Sequence, residues 1–210
     1  MNNLAEWPHL FTPGAADRPV LLTLHGTGSD ERDIAQIAPE LDPTAAVLSP
    51  RGAVSENGML RWFARRGEGI FDVDDVIFRS GELVRFIEWA RGSYGLGDRP
   101  LVAVGMSNGA NIALATALLH PASVNRVIAF SGMYPLGDRV PEGEGHTTAD
   151  SLAAVDVILL NGSADPMAPT ASVDLLERVL RERGAAVQRA TRAGGHGITR
   201  ADIDAARGWL

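Results

Sequence analysis

Ser107 lies at the centre of GMSNG (105–109), directly after the apolar run LVAV and directly before the helix-like ANIALATALL. The G-x-S-x-G spacing is what a chain needs to turn sharply from strand to helix. The flanking positions can carry no side chain, and the serine is left exposed at a helix N-terminus. At neutral pH a serine hydroxyl is a weak nucleophile, so chemistry there needs a base to take its proton and a third group to fix that base. A glycine-rich turn with an idle serine is the competing reading.

The base is sought among five histidines. His196 sits in GGHG, where neighbouring glycines leave the ring sterically free. His9 in the N-terminal segment, His120 before Pro121 and His146 in a polar loop read as surface or capping residues. His25, at the end of a strand, reads by position as a packing and hydrogen-bonding residue of its loop and not as a catalytic one. The third group is Asp165 in NGSADPMAP (161–169), where Pro166 biases it toward an extended backbone after an apolar run. Its competing role is an Asx turn that satisfies local backbone donors.

Acyl transfer also needs donors for a tetrahedral oxyanion. The backbone N–H of Asn108, just after the nucleophile, and that of Thr27 in HGTG (25–28) are the two expected. Trp62, Phe63, Met133 and Met167 are the apolar residues available as walls for a substrate, although Trp62 and Phe63 could equally anchor their own loop to the core. Arg61, Arg65 and Arg66 either favour an anionic substrate or form a solvated face.

These residues must be positioned by alternating strands and helices. PVLLTLHG (19–26), AAVLSP (45–50), PLVAVGMS (100–107), VNRVIAF (124–130) and VDVILLNG (155–162) read as strands buried on both faces, and AAVQRAT (185–191) as one nearer an edge. Val76, Ser80, Leu83, Val84, Ile87 and Ala90 follow one helical stripe, and Val173, Leu175, Leu176, Val179 and Leu180 another. Segments 31–40, 108–119 and 199–209 are further helices, whereas 51–71 and 132–150 read as long loops. The expected fold class is α/β, a mostly parallel sheet flanked by helices in one domain spanning 1–210, with no segment left for a cap. Parallel sheets bind ligands outside the carboxyl ends of their strands, and that edge would gather Ser107, Asp165 and His196.

Composition excludes several chemistries. The 210 residues carry 19 basic and 26 acidic side chains, a formal charge of −7, with no dense basic run, so nucleic acid is not an expected partner. Every basic residue is Arg, which removes Schiff-base and phosphate-loop lysines. Cysteine is absent, and no HExxH or comparable spacing offers a metal site, so neither a metal nor a cofactor is expected. The sequence shows neither a signal-like start nor an apolar stretch approaching the ~20 residues of a membrane span. A cytoplasmic protein without stable membrane insertion, acting as monomer or homodimer on a small molecule, is the expectation.

The ordered set LHGTGSDE (24–31), NGMLRWF (57–63), GMSNGANIA (105–113), SGM (131–133), NGSADPMAP (161–169) and GGHGIT (194–199) resembles the phospholipase/carboxylesterase group of small α/β-hydrolases. Within that group it is most similar to the branch containing hydroquinone-linked esterases, and the likeness covers nearly the whole chain. The resemblance implies an α/β-hydrolase fold with its chain order Ser, Asp, His. It also implies the same triad and oxyanion donors, no cofactor, and hydrolysis of small to medium esters through an acyl-serine. Acyl-thioesterase and lysophospholipase activity use the same centre. A non-catalytic ligand-binding protein on this fold is the alternative of a different class.

Overall fold

The structure is a computed structural model and describes residues 4–67, 69–139 and 151–210. His146 and the second half of the expected 132–150 loop lie outside the described residues. In chain order the elements begin with β1 (His9–Thr12), β2 (Val20–Leu24), α1 (Glu31–Ala35), α2 (Ala38–Leu41) and β3 (Ala46–Pro50). Two short hairpins follow, β4 (Val54–Glu56) with β5 (Met59–Arg61) and β6 (Arg65–Gly67) with β7 (Ile70–Phe71). The remainder is α3 (Val73–Ser93), β8 (Leu101–Met106), α4 (Asn108–Leu119), β9 (Arg126–Phe130), β10 (Asp156–Gly162), α5 (Thr170–Glu182), β11 (Ala186–Arg192) and α6 (Arg200–Trp209).

Among the described residues seven strands form one sheet in the order β1-β3-β2-β8-β9-β10-β11. All pair in parallel except β1, which lies antiparallel on β3. The apolar runs read from sequence are buried because each strand feeds two cores. Leu22, Leu24, Ala103, Val127 and Leu159 point to the side of α3, α4 and α5, whereas Leu21, Val102, Val104, Ile128 and Ile158 face α1, α2 and α6. Period-2 alternation thus survives, with both faces apolar. The expected edge position of 185–191 is met: β11 ends the sheet and is mostly exposed or half-buried.

Helix α4 is apolar all round, and its residues from Asn108 to Leu118 are buried. A helix without a polar face belongs inside, and α4 is wedged between α3 and strands β8 and β9. That placement seats its N-terminus, and with it Ser107, on a rigid support at the middle of the sheet.

Two expectations need correction, and one strand was not foreseen. The single helix over 31–40 is two, α1 and α2, because Pro39 has no N–H to continue the first helix and sits at the start of the second. The stretch 51–71 is two hairpins, the first turning at Asn57 and Gly58, both with left-handed φ of 52° and 81°. An Asn-Gly pair between short runs is a hairpin signal, so this one was legible. Strand β1 was not: four residues with alternating exposure carry too little pattern. Among the described residues no helix is long and apolar enough to cross a membrane.

Candidate active site

The β8-to-α4 turn holds Ser107 at φ 54°, ψ −114°. Non-glycine residues rarely adopt a positive φ, and when they do the surroundings over-determine it. The glycines on either side show how. A Cβ on Gly105 would lie 2.5 Å from Ala110 N, and one on Gly109 would lie 1.9 Å from the Leu24 carbonyl oxygen. The Ser107 N–H donates to Phe130 O at 2.9 Å, and its side chain makes no capping bond to the helix, so the hydroxyl is not committed to structure.

The Gly109 contact is with backbone at the centre of the sheet, which cannot give way cheaply. Gly109→Ala is therefore expected to destabilise the protein by at least ~4 kcal/mol, the range of severe core lesions. For a chain of this size that is about 10 °C in Tm, measured by thermal melting. A variant melting within 2 °C of wild type would show that the turn is not so tightly enclosed.

Asp165 follows β10, and His196 follows β11 on the next strand over. The two meet: His196 Nδ1 lies 2.8 Å from Asp165 Oδ2. The other carboxylate oxygen accepts from the N–H groups of Met167 at 2.9 Å and Ala168 at 3.2 Å. Asp165 is thus both an Asx-turn residue and the partner of His196, so the two sequence readings coexist. Burial pushes its carboxyl up, but the hydrogen bonds from His196, Met167 and Ala168 outweigh this and hold it below the usual carboxylate range.

The His196 loop is fixed by contacts that have no motif in the sequence. Ala164 N–H donates to Gly194 O at 2.9 Å, and a Cβ on Gly162 would lie 2.4 Å from the carbonyl oxygens of Gly194 and Gly195. Arg192, paired with buried Asp202 at 2.7 Å, donates to Gly195 O and Gly197 O at 3.2 and 2.6 Å. An arginine at the end of a strand with an aspartate ten residues on carries no motif that the sequence alone would reveal. Gly197 N–H reaches Ser131 Oγ at 3.4 Å, and Ser131 directly follows the Phe130 carbonyl that holds Ser107. The histidine loop and the serine turn are thereby tied to one short segment.

On the other side of Ser107 runs the β2 loop. A Cβ on Gly26 would touch Ser107 Cβ at 3.7 Å, so Thr27 follows a residue packed directly on Ser107. Asn108 is the first residue of α4, a position whose N–H has no partner within its helix. His25 is fully buried. Its Nδ1 lies 2.8 Å from Gly26 O and its Nε2 accepts from Gly52 N–H at 2.9 Å, a pair that fits the neutral Nδ1–H tautomer. Burial lowers its basicity in the same sense.

The expected wall residues divide. Phe63 is fully buried against Phe71 with no surface to offer a ligand, which corrects its assignment to substrate binding. Trp62 is 2% exposed, and its indole Nε1 donates to His25 O at 2.9 Å, so burial favours the anchoring alternative. Met133 lines a cavity of ≈ 460 Å³ with Phe71, Tyr134 and Leu175, and Met167, beside Asp165, is exposed. Arg61 and Arg65 converge on Glu56 at 3.4 and 3.0 Å, leaving Arg66 as the exposed cation of the three, 3.5 Å from Asp72. No group of three or more candidate metal-ligating side chains occurs among the described residues.

Comparison with known proteins agrees with this architecture. The chain is 37% identical over 203 residues to MhqD of Bacillus subtilis, covering 96% of each sequence. It is 30% identical over 187 residues to the esterase YpfH of Escherichia coli, covering 83% of this chain and 75% of YpfH. The crystal structure of a Bacillus cereus carboxylesterase superposes with a TM-score of 0.88 at 37% identity, covering 98% of this chain and 93% of the other. Residues 6–210 match the family described as Phospholipase/Carboxylesterase, so this chain belongs to that family of α/β-hydrolases.

Proposed function

We propose that the chain hydrolyses small to medium carboxylic esters through an acyl-serine intermediate on Ser107, with His196 as base and Asp165 as the residue that orients it. The observation carrying this reading is the 2.8 Å His196–Asp165 hydrogen bond, together with a serine held at positive φ in a turn flanked by glycines. With Nδ1–H donated to the carboxylate, the His196 Nε2 lone pair is left to accept the Ser107 proton as Oγ attacks the ester carbon. The Thr27 and Asn108 N–H groups receive the carbonyl oxygen as it becomes an oxyanion. His196 then passes its proton to the departing alcohol. Water, activated by the same imidazole, cleaves the acyl-serine and restores the hydroxyl.

Met133 and Met167 are the side chains we assign to substrate contact. The ≈ 460 Å³ cavity that Met133 lines is of small-molecule size, but Ser107, Asp165 and His196 do not line it, so the assignment of Met133 rests on its place after β9 and not on that cavity. The preferred acyl chains should run from roughly two to eight carbons, since each further methylene gains about 0.8 kcal/mol only while apolar wall remains to cover it.

A fluorophosphonate probe tests the assignment directly. Wild type should be labelled stoichiometrically at Ser107, with ester hydrolysis lost in step and a chelator without effect on the rate. An unlabelled protein that still binds esters would return the chain to the ligand-binding class. A graded panel of oxygen esters and thioesters then ranks the substrates, and kcat/KM rising steadily to sixteen carbons would refute the size limit.

A further inference from the structure

We propose that Trp62 is a positioning residue for the oxyanion hole, a staple joining the two backbone segments that supply its donors. The inference rests on the function proposed above. Those donors come from different places: Thr27 from the loop after β2, and Asn108 from the turn after β8. The strands beneath are paired through Leu24 and Gly105, but the ladder stops there and both donors lie beyond it. Something must fix the gap between them, because an oxyanion hole works only if its donors are already aimed where charge develops.

Trp62 is bonded to both sides. Its indole Nε1–H donates to the carbonyl of His25, two residues before Thr27, at 2.9 Å. Its backbone N–H donates to the side-chain Oδ1 of Asn108 at 2.7 Å. The indole also packs against the His25 ring, with centroids 5.3 Å apart. The surrounding segment reinforces the same two attachments: Gly28 N–H donates to Leu60 O at 3.0 Å, and Gly52 N–H donates to His25 Nε2 at 2.9 Å. A Cβ on Gly52 would lie 2.4 Å from Arg61 O, so the segment is closed tightly on itself just before Trp62.

Asn108 supplies the second argument. Its side chain is buried, and its Nδ2 has no hydrogen-bond partner among the described residues. An unpaired buried amide nitrogen is unfavourable. An apolar residue would avoid that penalty, yet could not accept the Trp62 N–H. The asparagine is therefore explained by its acceptor oxygen, and the bond to Trp62 is that oxygen's role.

The test measures kcat, KM and inhibition by an alkyl trifluoromethyl ketone in the purified full chain. Ser107 Oγ adds to the ketone carbon, its proton passes to His196, and the carbonyl electron pair becomes an oxyanion in the proposed hole. Trp62→Phe keeps an aromatic ring and removes the indole N–H. It should lower kcat by ~10- to 100-fold, the effect of a misplaced catalytic group. Inhibitor affinity should fall by the same factor while KM stays within twofold. Asn108→Ala cuts the other arm and should give the same selective loss, and it serves if Trp62→Phe does not fold. The two losses should combine less than multiplicatively, because both sever one bridge. Unchanged kcat and inhibition in the folded variants, or a loss confined to KM and melting temperature, would overturn the staple. Failure of wild type to be labelled at Ser107 would instead overturn the underlying mechanism, so the two failures are separable.

Discussion

Ser107→Ala is expected to lower kcat by ~10⁴-fold or more, approaching the ~10⁶ seen when a serine nucleophile is removed from a complete triad. The protein should meanwhile fold and melt as wild type does. Both residues carry a Cβ at the same left-handed φ of 54°, so the substitution adds no backbone strain. The hydroxyl makes no capping bond to α4, so none is lost. A change of that kind should leave stability within about 0.5 kcal/mol of wild type. Kinetics and melting must therefore separate cleanly. A variant that keeps more than a few per cent of the ester-hydrolysing rate would assign the nucleophile elsewhere, and one that fails to fold would give the hydroxyl a structural role it does not have in this arrangement.

The legible parts of the site were those dictated by short-range sterics. The serine turn could be read from GMSNG because glycine is the only residue that fits at 105 and 109, where a Cβ would meet the backbone of α4 and of Leu24. Strands β2, β8, β9 and β10 were visible because burial on both faces demands unbroken apolar runs. The His25 role was also accessible, since a histidine at a buried strand end must satisfy both ring nitrogens. What the sequence hid depends on long-range closure. Whether Trp62 and Phe63 turn outward to a substrate or inward to the core is settled by bonds to residues outside their segment, from Trp62 N–H to Asn108 and from Ala64 N–H to Asp75, and no local pattern encodes that. Arg192 is hidden for the same reason: its bond to Asp202 and its grip on the His196 loop arise only once α6 has packed beside β11. The Asn57-Gly58 turn differs, being a local signal within reach of sequence reading.

Asp165→Asn should cost ~10⁴-fold in kcat while preserving the fold, for a reason the Asx turn makes specific. In the wild type one carboxylate oxygen accepts two backbone N–H groups, from Met167 and Ala168, and the other accepts from His196. An asparagine has a single oxygen. Two fixed backbone donors hold that oxygen on their side, which turns the NH₂ toward His196 Nδ1. To accept from it, the imidazole must carry its proton on Nε2, which then has no lone pair for the proton transfer proposed from Ser107. The same substitution should alter the acid limb of stability. The folded-state carboxyl of Asp165 is held below its ordinary value, its hydrogen bonds overcoming the burial that pushes it up. Its contribution is therefore fully present above the unfolded value, about 3.9, and is lost as pH falls through the folded value. Asparagine does not titrate, so the stability gap between wild type and variant should be widest near pH 7 and narrow below about pH 4. Denaturant melts at several pH values, paired with kcat at pH 7, check both halves. A gap that stays constant into acid would mean that the carboxylate is not stabilised by these partners, and a variant retaining above ~1% of wild-type kcat would show that the tautomer of His196 is set by some other group.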